Sequence, residues 1–96
     1  MNYSGLQIKN SDERLIYVYD HENKEEELIV SLKETVLDLK HKIEDKYNLR
    51  RNALINKHIR KKDLQGNNTT LKENHIHNET GIYFSILENP GGIKNS

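Results

Sequence analysis

The alternation of apolar and polar residues predicts two strands near the start of the chain. In residues 14–19 the apolar Ile16 and Val18 recur at every second position, so both lie on one face of a strand. Residues 26–32 repeat this pattern and form a second strand, with one face made by Leu28, Val30 and Leu32. The polar residues 20–24 between these runs predict a turn, and hence a β-hairpin.

The apolar spacing becomes helical after Thr35. Thr35 is a good N-cap, and Asp38 three residues later resembles a capping box with aspartate in place of glutamate. Helical spacing connects the apolar residues Val36, Leu39 and Ile43. Asn48 suits a left-handed C-cap, after which we expect Leu49 to fold back onto the core.

The second half of the chain predicts shorter strands. We expect a short strand over residues 54–59, a very short one over 63–65, and a final strand over 81–87. In the final strand the inward residues are Ile82, Phe84 and Ile86. The economical fold is α+β: a mixed sheet of four to five strands packed on one helix, with the first strand parallel to the last. Residues 1–13 are expected to be a flexible extension, 14–88 the domain and 89–96 a flexible tail.

Composition excludes several functions. The 96 residues contain 15 basic and 15 acidic side chains, and a neutral domain lacks the general attraction expected of a nucleic-acid binder. The chain has no cysteine, so it cannot form a thioester through its own side chains. The sequence has no apolar stretch of membrane-spanning length, nucleophile elbow, P-loop or dinucleotide fingerprint. We therefore expect a monomer that is not an enzyme and needs no cofactor, nucleic acid or membrane.

The five histidines raise the question of a metal site or a pH response. His75 and His77 alternate and would share a face on a strand, but no clear third ligand accompanies them, so we expect no metal. His21 and His58 would lie on one surface, where titration near neutral pH would tune a partner interface. Surface histidines without a role are the simpler interpretation.

The order of elements resembles that of ubiquitin, from about Arg14 to Gly92. Residues 34–46 are similar to the helix of ubiquitin in the cap threonine, the apolar positions, the lysines and the closing Asp-Lys. Asn74-His75-Ile76 resembles the Tyr-Asn-Ile segment of that family. This resemblance implies a ubiquitin-like β-grasp fold.

The departures from ubiquitin lie in the apolar patch and the C-terminal tail, which the partners of ubiquitin recognise. Ubiquitin presents an apolar patch of leucine, isoleucine and valine, and the aligned positions here are His21, His58 and Ser85. Without these aliphatic anchors, ordinary ubiquitin receptors should bind this chain weakly. The run before Gly91-Gly92 lacks the arginines of the ubiquitin tail and contains Glu88, so a dedicated activating enzyme would be implied.

The resemblance leaves two functions open. In the first, a protease removes residues 93–96, and activating and conjugating enzymes then join Gly92 to a lysine of a target protein. Gly91 and Gly92 would supply reach and flexibility. In the second, the chain is an interaction domain of a larger protein, binds a protein receptor, and Pro90-Gly91-Gly92 is a linker or turn.

Two further expectations depend on the modifier interpretation. Several lysines lie near positions that carry lysine in ubiquitin, and Lys62 is the best candidate to accept a further modifier in a chain; the simpler view is that they are solvated surface groups. The set is Lys24, Lys40, Lys42, Lys46 and Lys62. The default location is the cytoplasm or nucleus, or an organelle if a targeting segment has been removed.

Overall fold

Three strands and one helix make up the regular structure of the described part of the chain. The computed structural model describes residues 7–57, 59, 64 and 66–85. The elements in chain order are β1 (Glu13–Tyr19), β2 (Glu25–Ser31), α1 (Val36–Lys46) and β3 (Gly81–Tyr83). In this sheet the order is β2-β1-β3, which leaves β1 at its centre.

The sheet is mixed, as the sequence predicts. β1 and β2 are antiparallel, and Ile16 lies opposite Leu28. β1 and β3 are parallel, and Val18 lies beside Ile82. The predicted parallel pairing of the first and last strands is therefore confirmed, and β1 receives hydrogen bonds on both edges.

The hairpin turn depends on one aspartate. The Oδ1 atom of Asp20 accepts hydrogen bonds from the backbone N–H groups of Glu22 (2.8 Å) and Lys24 (2.9 Å). Asn23 takes a left-handed conformation with φ of 63°, which asparagine tolerates better than most residues. The turn predicted over residues 20–24 is confirmed.

Both ends of α1 carry the predicted caps. The Oγ1 atom of Thr35 accepts from the Asp38 N–H at 3.2 Å, and the Asp38 carboxylate accepts from the Thr35 N–H at 3.0 Å, which completes the capping box. At the other end Asn48 is left-handed, with φ of 58°. The Leu49 N–H then bonds to the Glu44 carbonyl at 2.8 Å, the backbone pattern of a Schellman motif.

The core lies between α1 and one face of the sheet, and later loops close it. β1, β2 and β3 contribute inward residues at alternate positions, and α1 contributes its apolar side. Leu49 and Tyr47 pack against the margin. The buried apolar residues are Ile16, Val18, Leu28, Val30, Val36, Leu39, Ile43, Leu54, Ile59, Leu71, Ile76, Ile82 and Phe84.

The strand predicted over residues 54–59 does not form in its described part. Residues 51–56 are turns, with i to i+3 bonds such as Lys57 N–H to the Leu54 carbonyl at 2.9 Å. The Glu44 carboxylate is the physical reason, because it accepts from the N–H groups of Asn52 and Leu54, both at 3.0 Å. These amides are bound to the helix and take no part in a ladder, so this prediction is wrong for residues 54–57.

The other predicted strands are described only in part. β3 ends at Tyr83, although the Phe84 N–H still bonds to the Tyr19 carbonyl at 3.0 Å. Ile86 and Leu87 lie outside the described residues, as do positions 63 and 65 of the very short strand. The described sheet thus has three strands where four to five are predicted. β1 begins at Glu13, one residue before the predicted domain boundary.

Candidate protein-interaction surface

The structure describes two of the predicted site residues. His21 lies in the β1–β2 turn, where its Nε2 atom is 3.8 Å from the Glu22 carboxylate. Ser85 lies exposed just after β3. Gly91, Gly92, Lys62 and His58, the other predicted site residues, lie outside the described residues.

The outer face of the sheet, opposite the core, carries three tyrosines. Because side chains alternate along a strand, Tyr17 and Tyr19 of β1 point to the face of the sheet away from the buried Ile16 and Val18. Tyr19 pairs in register with Tyr83 of β3. The rings of Tyr19 and Tyr83 stack with centroids 4.8 Å apart and planes at 20°. We call Tyr17, Tyr19 and Tyr83 the tyrosine face.

Tyr83 is the most accessible member of the tyrosine face. Tyr83 is 50% exposed. Burial of an aromatic ring is favourable, so a partner that covers Tyr83 would gain binding free energy. Its stacking on Tyr19 restrains both rings before any partner arrives. The face therefore presents aromatic area in a fixed arrangement.

Carboxylates border the tyrosine face. On β2, Glu25 lies opposite Tyr19 and Glu27 opposite Tyr17. Burial raises the pKa of Tyr17, and the negative charges of Glu27 and Glu79 raise it further. Burial also raises the pKa of Tyr19, and the negative charge of Glu25 and the hydrogen bond that its carboxylate accepts from the Tyr19 hydroxyl add to the rise. We call Glu25, Glu27 and Glu79 the acidic flank.

One oxygen of the acidic flank has no donor. The Oε1 atom of Glu27 is shielded from solvent and has no hydrogen-bond partner in the part of the chain that the structure describes. Glu44 offers the contrast, because both of its carboxylate oxygens accept backbone N–H groups. An unpartnered shielded carboxylate oxygen is unfavourable, which distinguishes Glu27 from Glu44.

Tyr47 fixes the position of the hairpin beneath this face. Its hydroxyl lies 2.9 Å from the Val18 carbonyl and 2.8 Å from the Lys24 carbonyl. Its ring packs edge-on against Phe84 with centroids 4.9 Å apart. Burial raises the pKa of Tyr47, and the charge of Asp20 adds to the rise. The end of α1 thus holds the turn that carries His21.

The lysines proposed as chain acceptors fall into two groups. Lys40 is buried, and its Nζ atom donates to the Asn67 side chain at 2.7 Å and to the Ile55 carbonyl at 3.2 Å. Burial lowers the pKa of Lys40. Lys42 donates to the Ile29 carbonyl at 2.9 Å, whereas Lys24 and Lys46 lie at the surface. Exposure therefore favours the latter pair over Lys40 and Lys42 as acceptors.

The described residues form neither a metal site nor a membrane-spanning helix. Residues 7–57, 59, 64 and 66–85 contain no group of three or more His, Cys, Asp and Glu side chains arranged to hold a metal ion. His75 and His77 are both exposed. Among these residues, no helix has the length and apolar character needed to cross a membrane.

Comparison with solved structures identifies the fold. The chain is similar to a designed protein based on ubiquitin, with a TM-score of 0.63 and 16% identity over 78% of this chain and 89% of the design. It is also similar to the C-terminal ubiquitin-like domain of human 2'-5'-oligoadenylate synthetase-like protein. That match has a TM-score of 0.66 and 15% identity over 82% of this chain and 88% of the domain. The chain therefore has the α+β ubiquitin-like fold that its resemblance implies.

Sequence comparisons add no closer relative. No family model matches the chain, and no curated protein matches it. The chain thus shares a fold with proteins of low sequence identity. Its own surface residues are therefore the guide to its function.

The sequence interpretation missed the tyrosine face. It used the inward positions of the strands to define the core and left the outward positions unexamined. The available signal was the placement of three large aromatic residues, Tyr17, Tyr19 and Tyr83, at outward positions of two strands already predicted to pair.

Proposed function

We propose that this chain is a non-catalytic, ubiquitin-like protein-interaction domain that binds other proteins through the outer face of its sheet. The observation that carries this proposal is the stacked Tyr19–Tyr83 pair, whose Tyr83 ring is half-exposed on a sheet whose other face is the core. Tyrosine is enriched at protein interfaces because its rigid ring buries a large area at low entropic cost.

The residues around this face indicate partners other than ordinary ubiquitin receptors. His21 and Ser85 occupy positions where ubiquitin presents aliphatic side chains, and both are exposed here. An apolar receptor helix would gain little from burying an imidazole and a hydroxyl. The tyrosine face supplies the apolar area that these positions lack.

A photo-crosslinking experiment tests this function. We would replace Tyr83 with p-benzoylphenylalanine in the full chain, and Lys46 at the exposed end of α1 in a matched control. After irradiation in a cell extract of the native organism, position 83 should give discrete adducts that position 46 does not. Equal adducts at both positions, or none at position 83, would contradict the proposal.

A second candidate is a covalent modifier, favoured by the position of Gly91-Gly92 shortly after β3 in the sequence. A processing protease would remove residues 93–96. An activating enzyme would couple the Gly92 carboxylate to ATP, giving an acyl adenylate and pyrophosphate. A cysteine thiol of that enzyme would displace AMP, a conjugating enzyme would take over the thioester, and a target lysine would displace the thiol to form an isopeptide bond.

Conjugation has its own test. Tagged protein ending at Gly92 is incubated with ATP in extract of its own organism, beside a Gly92→Ala variant. ATP-dependent adducts that resist thiol reduction and vanish in the variant would support a modifier, with Lys62 as the proposed acceptor if chains form. Adducts that form without ATP and persist in the Gly92→Ala variant would favour the interaction domain over the modifier.

A further inference from the structure

We propose that the tyrosine face and the acidic flank together bind an extended, arginine-containing segment of a partner protein. This inference rests on the proposed function and names the partner chemistry at the same surface. Two observations carry it: the stacked Tyr19 and Tyr83 rings, of which Tyr83 is half-exposed, and the negative charge of the carboxylates beside them.

The rings favour a flat cation. A guanidinium group is planar and weakly hydrated, and it stacks on an aromatic face with attraction from the ring quadrupole. The stacked Tyr19 and Tyr83 rings leave Tyr83 half-exposed, so a cation can reach it without displacing another side chain of the pair. A lysine ammonium is compact and more strongly hydrated, and so gains less at this position.

The charged side chains on this face of the three described strands are all acidic. On β2, Glu25 and Glu27 lie directly opposite Tyr19 and Tyr17. None of the strand residues at outward positions is basic; these are Glu13, Leu15, Tyr17, Tyr19, Glu25, Glu27, Ile29, Ser31, Gly81 and Tyr83. A cationic partner is therefore attracted, whereas a nucleic acid or an anionic membrane is repelled.

The carboxylates of the acidic flank favour arginine as the cation. Arginine presents N–H groups in a fork that matches a carboxylate, and such charge-assisted bonds are stronger than neutral ones. The Oε1 atom of Glu27 is shielded from solvent, whereas Glu25 and Glu79 are exposed and can accept hydrogen bonds from a partner.

The strand geometry sets the spacing of the partner. Tyr17 and Tyr19 are two residues apart on β1, a separation of roughly 6.6 Å in an extended chain. An extended peptide repeats its side chains at the same interval on one face. The surface thus matches arginines at every second position of the partner segment.

The probe is an acetylated, amidated peptide, Gly-Arg-Gly-Arg-Gly-Arg-Gly, added to the isotope-labelled full chain at low salt. Nuclear magnetic resonance should show saturable shifts in β1, β2 and β3 and smaller ones in α1. The lysine analogue should bind several-fold more weakly, and the neutral citrulline analogue should not bind measurably. Affinity should fall as salt is raised.

Variants separate the ring from the charge. Tyr83→Leu should weaken binding about fivefold, whereas Tyr83→Phe keeps the ring and should retain the affinity. Glu25→Gln should weaken binding about threefold and reduce its salt dependence. Asp45→Asn is the matched control, since Asp45 is exposed on α1 at the opposite side of the sheet, and it should bind like the parent chain.

Several results would overturn the inference: larger shifts in α1 than in the three strands, equal binding of the citrulline analogue, or tighter binding when Arg60, Lys61 and Lys62 of the chain itself are neutralised. The last result would make this segment the occupant. If the peptide fails to bind but crosslinks form at position 83, the arginine assignment is wrong and the interaction domain stands. If both fail, both proposals are wrong.

Discussion

The two faces of β1 carry different constraints although they share one backbone. Ile16 and Val18 face α1 and are fully buried, so their shape is set by the packing around them. Tyr17 and Tyr19 face outward beside glutamates, where core packing does not restrict the shape of the side chain. The inner face is thus explained by stability, and the outer face is the place to look for function.

The largest expected effect comes from placing threonine at adjacent positions of β1. Ile16→Thr leaves a cavity and buries a hydroxyl, so it should lower the free energy of unfolding by about 3 kcal/mol. Tyr17→Thr keeps a β-branched residue on the outer face and should cost less than about 1 kcal/mol. Urea unfolding with an unchanged m-value measures both. Equal losses would mean that the tyrosine is structural.

Two neighbouring carboxylates of α1 extend the comparison to polar groups. Glu44 is 1% exposed and accepts the N–H groups of Asn52 and Leu54, whereas Asp45 is exposed. Glu44→Ala leaves those amides without acceptors and should cost about 2 kcal/mol. Asp45→Ala, the control, should change the free energy of unfolding by less than about 0.5 kcal/mol. If Glu44→Ala left the free energy of unfolding unchanged, the loop would have rearranged to give those amides other acceptors.

A pH series separates the buried phenol from the outer ones. Folding raises the pKa of Tyr47, so the unfolded chain loses this proton first as pH rises above its usual value near 10. The stabilisation is present below pH 10 and is lost progressively as pH rises toward the folded pKa.

Unfolding free energies between pH 8 and 11 measure that loss. Tyr47→Phe should start lower, because the hydroxyl contacts with the Val18 and Lys24 carbonyls are gone, and should fall less steeply with pH. Tyr17→Phe on the outer face should change the slope less. If Tyr17→Phe changed this slope more than Tyr47→Phe, the phenol with the most strongly raised pKa would be on the outer face.

The smallest signal is expected for a standard ubiquitin-interacting helix. By calorimetry the parent chain should give no measurable heat, since polar residues stand at His21 and Ser85. Restoring the apolar patch with His21→Leu, His58→Ile and Ser85→Val should create weak binding. Tight binding by the parent chain would contradict the predicted receptor change, and no gain in the triple variant would mean that the alignment is wrong.

The elements predicted correctly are those with strong local signals. The hairpin follows from alternation around a turn led by Asp20, and α1 from its apolar spacing between Thr35 and Asn48. The segment at Leu54 was assigned to the wrong state because its amides are bound by Glu44, ten residues earlier. A short apolar run does not reveal that long-range acceptor.

The sequence by itself determined the inner half of this protein. Its periodicities and caps assign the buried residues of the hairpin and the helix to the core side, because burial and backbone hydrogen bonding act through local spacing. These residues are Ile16, Val18, Leu28, Val30, Val36, Leu39 and Ile43. The hairpin already sets Glu25 and Glu27 beside Tyr19 and Tyr17, but only the tertiary structure brought Tyr83 of β3 against Tyr19 of β1. Tyr83 is distant from Tyr19 in the chain, so the stacked pair that we propose as functional exists only once the parallel pairing forms.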